Sequence, residues 1–126
     1  MKTDYIEIFQ TIRASLQPYA TLGFDNRTNS ETVYDLWSNK NVEIDGSPRN
    51  EVFFVSVGIE DNHVALHLLP EDQVNELKNI SDPGFQELLN ADGYFEIVSL
   101  DDPLLTKIEE AIAAGFKIYK DKGWVV

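Results

Sequence analysis

The sequence predicts an α+β fold: an antiparallel β-sheet with a central hairpin, and N-terminal and long C-terminal helices packed on one face. Three stretches carry that expectation. Residues 51–70, EVFFVSVGIEDNHVALHLLP, read as two strands joined by a tight turn, because runs rich in Val, Phe, Ile and Leu flank Asp61 and Asn62, which tolerate a left-handed backbone. Tyr5, Ile8, Phe9, Ile12 and Leu16 fall on one stripe at helical spacing. Leu104, Leu105, Ile108, Ile112, Phe116 and Tyr119 do the same over about five turns near the end of the chain.

A two-residue loop at Asp61 and Asn62 fixes the register of the hairpin. It sets Ile59, Val57 and Val55 opposite Val64, Leu66 and Leu68, a wholly apolar face that must be buried. The other face carries Glu60 against His63, Gly58 against Ala65, Ser56 against His67 and Phe54 against Leu69. That second face is mixed in character and brings both histidines to one side.

In chain order, Thr3 caps the first helix, Asp4 and Glu7 sit at its positive end, and Pro18 stops it. GFDNRTNS, from Gly23 to Ser30, is dense in turn formers and reads as an exposed, mobile loop. TVYDLWSN, from Thr32, is rich in β-branched and aromatic residues and reads as a strand, with Val33, Asp35 and Trp37 on one side and Tyr34 and Leu36 on the other. Val42 and Ile44 form a short strand before the turn cluster Asp45, Gly46, Ser47 and Pro48.

Beyond the hairpin, Pro70 breaks the sheet, and Glu71 with Asp72 opens a short helix holding Val74 and Leu77. A second short helix follows, capped by Ser81, with Pro83 in its first turn and Phe85, Leu88 and Leu89 inward. Asp92 and Gly93 turn the chain into a strand over Tyr94 to Val98. Asp101 or Asp102 caps the last helix, and Gly123 ends it. Gly115 in its interior costs about 1 kcal/mol relative to alanine, which implies close approach to the sheet.

Composition narrows the function classes. At 126 residues the chain is expected to be a single domain, 1–126, with one core. Without cysteine it has no disulfide framework and no thiolate chemistry, and the acids in MKTDYIEIFQ interrupt any signal-peptide core, so a soluble cytoplasmic protein is expected. Ten basic against twenty-two acidic residues give a net charge of −12, which opposes nucleic acid and anionic membranes as partners. Phosphate loops, GxSxG elbows, HExxH and EF-hand patterns are missing from the sequence.

His63 and His67 have a spacing that would suit a shared metal on a helix. On a strand, four residues at about 3.3 Å each hold their backbones roughly 13 Å apart, too far for one ion. His63 therefore reads as an exposed turn residue. His67, among the small residues Ser56, Gly58 and Ala65, reads as the polar member of a shallow ligand-binding pocket. Those four are the candidate site residues; the bland alternative is a sheet histidine satisfied by Ser56 or water. Paired carboxylates such as Asp101 and Asp102 are explained by helix capping, so no catalytic set is assigned.

Three stretches, IRASLQPYA from Ile12, VFFVSVGIEDNHVALHLLP from Val52 and YFEIVSLDDPLLTKIEEAIAAGFKIYKDKGW from Tyr94, resemble the YdhG-like superfamily of small bacterial proteins of unknown function. The resemblance covers about half the chain and implies an α+β domain with helices on one side of an antiparallel sheet. Some relatives are described as frataxin-like iron chaperones, which implies iron as a possible cargo, although no iron-binding motif carries over residue by residue. The segment from Gly23 to Arg49 departs from the pattern. The expected function is a non-catalytic ligand-binding or protein-interaction module, recognising a small molecule or a protein, with a homodimer through the same face as a variant and no cofactor. The alternatives are an iron or divalent-cation carrier and a small enzyme using a carboxylate with His67.

Overall fold

The computed structural model describes residues 1–44, 46–70 and 73–125, with Val74 described by its backbone alone. The expected roles of Asp45 in a turn, and of Glu71 and Asp72 at a helix start, lie outside those residues. Helix α1 spans Tyr5–Leu16 and runs into a 3-10 turn over Gln17–Thr21, so Pro18 tightens the helix end rather than stopping the chain's coiling. Its cap is Asp4 rather than Thr3, the carboxylate accepting from the amides of Ile6 and Glu7.

Strands β1 (Phe24–Asp25), β2 (Val33–Ser38), β5 (Val52–Ile59), β6 (Val64–Leu68) and β7 (Phe95–Ile97) form one sheet in the order β1-β2-β5-β6-β7. Every neighbouring pair is antiparallel. A separate hairpin joins β3 (Val42–Ile44) to β4 (Ser47–Arg49). Helices α2 (Val74–Ile80) and α3 (Pro83–Gln86) lead into β7, and α4 (Asp102–Lys122) closes the fold. The α+β class and the central hairpin are thus as the sequence predicts.

The hairpin register also matches, with Val55 on Leu68, Ser56 on His67, Val57 on Leu66, Gly58 on Ala65 and Ile59 on Val64. The Glu60 amide donates to the His63 carbonyl across the turn, and the Tyr5 hydroxyl donates to the Asn62 carbonyl, tying the turn to α1. Tyr34, Leu36, Val55, Val57, Val64, Leu66, Leu68, Phe95 and Ile97 share one face and are all buried. Ile8, Phe9, Ile12 and Leu16 of α1 bury against it in the same core.

One expectation fails at Phe54. Pairing between β2 and β5 slips, with Leu36 opposite Val55 but Trp37 opposite Phe53, so Phe54 is an extra residue in a β-bulge. The bulge turns Phe54 to the helix side beside Val55, where its ring stacks on Phe24 at 4.3 Å and meets Tyr119 at 5.1 Å. Phe53 is delivered instead to the opposite face. The Tyr119 hydroxyl donates to the Phe53 carbonyl, which holds the bulge from the α4 side.

Helix α4 is capped by Asp101, whose carboxylate accepts from the Leu104 amide, and ends at Gly123 in the left-handed conformation, φ 72°. At Gly115 an added Cβ would lie 3.3 Å from Leu69 Cδ2 and 3.5 Å from Phe54 Cε1, the close approach expected of that glycine. The second short helix is capped by Asp82 rather than Ser81; Ser81 is buried and its hydroxyl donates back to the Leu77 carbonyl. It ends at Gln86, so Leu88 and Leu89 follow it, and backbone bonds from Glu96 to Leu88 and from Asn90 to Tyr94 lay that segment along the outer edge of β7. The loop from Gly23 to Ser30 is not left free, because Asp35 Oδ1 accepts from the amides of Arg27 and Thr28.

Two tyrosines make the fold sensitive to alkali. Burial raises the phenol of Tyr34 above its ordinary value of 10.0, with Arg13 opposing and Asp35 adding to the shift. Burial, then the charge of Glu109, raises Tyr19 in the same direction. The native state therefore holds these protons more tightly than the unfolded chain does. Their stabilisation is complete below pH 10.0 and is lost as pH rises through the raised native values. Urea denaturation of Tyr34→Phe should show a shallower loss of stability above about pH 10 than the parent chain; equal slopes would remove Tyr34 from that account.

Candidate functional site

The second face of the sheet is where polar and aromatic side chains collect. Alternation from the hairpin register places Ser56 and Gly58 of β5, Ala65 and His67 of β6, and Val33, Asp35 and Trp37 of β2 on this side, joined by Phe53 through the bulge. Their burial is lower than on the helix face; Ser56, Phe53, Trp37 and His67 are all half-buried, and Val33 is exposed. A cleft of about 550 Å³ opens there, with Ser56 and His67 of adjacent strands in its lining. That volume is in the range of small-molecule sites, roughly 300–1,000 Å³.

Trp37 and Phe53 supply the aromatic wall, with ring centres 5.2 Å apart and planes at 73°. The indole is held from outside: the Arg27 guanidinium lies over it at 4.7 Å, and its Nε1 donates to Asp35 Oδ2 at 3.3 Å. Arg27 in turn pairs with Glu51 and Asp25 and donates to Asn39. These contacts fix the rotamer of Trp37 without using the cleft.

The opposite wall comes from the chain leaving β6 and from the turn before β7. Leu69 has φ 68°, a left-handed conformation that costs a branched residue of order 1–3 kcal/mol. It is held there by its amide bond to the Phe54 carbonyl at 2.7 Å and by burial against the Gly115 position. Asp92 and Gly93 line the cleft on the far side, where Gly93 at φ 90° lets the turn close; the Asn90 side chain accepts from the amides of Asp92 and Tyr94.

Of the four residues picked from the sequence, the cleft brings together Ser56 and His67. Gly58 and Ala65 share their face but lie outside it. Gly58 sits under Thr32 and Val33, and Ala65 is only 2% exposed because the Tyr94 ring spans it, stacking on His67 at 4.6 Å and on His63 at 5.9 Å. His67 is engaged within the chain, and among the described residues no hydrogen bond joins it to Ser56.

His63 is the larger departure. Expected to be exposed, it is 8% exposed, with Nδ1 2.7 Å from Asn62 Oδ1 and 3.5 Å from Glu96 Oε1, and with Nε2 buried and unpartnered. Tyr94, just before β7, a strand the sequence does not place next to β6, stacks over it. Trp37, Phe53, Arg49 and Asp92 also line the cleft and were not singled out by sequence. For Trp37 a signal existed, since its side of β2 is the mixed one; for Phe53 the bulge concealed it.

Among the described residues, no group of three or more His, Asp or Glu side chains converges to hold a metal, and no helix is long and apolar enough to cross a membrane. Compared with models of protein families, with curated proteins and with solved structures, the chain has no match in any of the three.

Proposed function

We propose that this chain is a non-catalytic binding module of the cytoplasm whose ligand enters the cleft on the open face of the sheet. The observation that carries this reading is a concave, aromatic-walled site floored by Ser56 and His67 on the half-buried part of the second sheet face. Binding is favoured over catalysis because, among the described residues, the Ser56 hydroxyl is not hydrogen-bonded to the His67 imidazole opposite it in register. The cation-carrier reading, with its YdhG-like precedent, rests on the −12 charge alone.

Amide chemical shifts of the labelled protein, followed while a library of small fragments is added, test the reading. Saturable shifts are expected at Phe53, Ser56, His67 and Gly93, with dissociation constants in the micromolar to millimolar range and no fragment turned over. Shifts confined to other faces would overturn it. Concentration-dependent broadening of the same amides without any fragment would instead make the face a homodimer contact.

A further inference from the structure

We propose that the cleft takes an uncharged planar nitrogen heteroaromatic ring, of purine or pyrimidine size and without a phosphate. This rests on the cleft being a ligand site at all.

The ring part follows from the aromatic wall. Two rings at 73° and 5.2 Å make a corner, in which a flat ligand can stack on one ring while presenting its edge to the other. Arg27 clamps the indole from outside, and the Tyr119 hydroxyl holds the backbone that carries Phe53. A rigid stacking surface binds flat rings with little ordering cost, whereas a flexible alkyl chain would gain only area and lose its own freedom.

The heteroatom part follows from the polar floor. The Ser56 hydroxyl can both donate and accept and has no hydrogen-bond partner among the described residues, and Asp92 on the far side of the cleft brings a carboxylate, an acceptor only. Together they suit a ring that turns a nitrogen or N–H towards Ser56 and an N–H or amino group towards Asp92. A plain hydrocarbon ring would leave both unsatisfied and partly desolvated.

The absence of phosphate follows from charge. Arg27 is already paired with Glu51 and Asp25, and Arg49, the other cation at the cleft, is engaged within the chain. With a net charge of −12, the long-range field repels anions, and among the described residues no pair of uncommitted cations lines the site to offset it.

Adenosine, cytidine, adenosine monophosphate and hexanoate, titrated separately against the labelled protein, form the test. Adenosine or cytidine should shift the cleft amides saturably, the monophosphate should bind more weakly than adenosine, and hexanoate should not bind. Trp37→Ala should weaken nucleoside binding about 5-fold to 150-fold, in line with the loss of one base-stacking platform. Phe53→Leu serves where the tryptophan variant does not fold, and Ser56→Ala should weaken binding with the fold unchanged. A monophosphate binding more tightly than adenosine, or nucleoside affinity unchanged in these variants, overturns the proposal. Cleft shifts with hexanoate but not with nucleosides overturn the ring class while leaving the ligand site standing. No cleft shift with any of the four, nor with the fragment library, overturns both.

Discussion

Replacing Phe54 with alanine is expected to destabilise the protein by about 3–5 kcal/mol in urea denaturation, the usual cost of emptying a fully buried phenylalanine site. The ring is wholly buried, stacks on Phe24, and contacts Tyr19 and Tyr119 at the junction of sheet and α4. Its neighbour should behave differently. Phe53→Ala removes a half-buried ring from the open face and is expected to cost about 1 kcal/mol or less. A strand without the bulge would exchange the two roles, so the opposite ranking would refute the slipped register between Leu36 and Trp37.

The second large effect concerns Gly115. Alanine there gains about 1 kcal/mol in helix propensity and meets Leu69 Cδ2 at 3.3 Å, a contact a small rotation of the leucine relieves, so its net effect should be small. Valine adds methyl groups to the same gap, with Phe54 at 3.5 Å and Ile80 at 3.7 Å also in the way. Gly115→Val should therefore lose about 1–3 kcal/mol through overpacking, read again from urea denaturation. If valine were as stable as alanine, α4 would have to stand further from the sheet. Because Leu69 walls the cleft as well as facing Gly115, the valine variant should also alter fragment shifts at the open face.

What was legible in the sequence follows physical lines. The hairpin register could be read because alternation on Val55, Val57 and Ile59 admits only one pairing with Val64, Leu66 and Leu68 once Asp61 and Asn62 are the loop. Helix α4 could be read because its stripe, its Asp101 cap and its Gly123 stop all agree. The bulge could not. In the run Val52 to Val55 every residue is apolar, so nothing local marks where alternation breaks; contacts distant in sequence, among them the Tyr119 hydroxyl and the Phe24 ring, hold the slipped arrangement.

The same limit applied to the candidate site. Ser56 and His67 were placed correctly because they depend on one turn, whereas Arg49 and Asp92 reach the cleft through connections whose paths no periodicity encodes. His63 looked like a turn residue because burial by Tyr94 requires knowing that β7 pairs with β6, through Val64 on Ile97 and Leu66 on Phe95.

The segment lying along β7 also decides how this protein can meet others. Backbone groups of Leu88 and Asn90 occupy the outer side of that strand, and at the opposite margin β1 is two residues long. A sheet sealed on one side and truncated on the other offers little template for an incoming peptide strand. Strand addition, the commonest way for a sheet to capture an extended peptide and also its commonest route into fibrils, is closed at the β7 margin and barely available at β1.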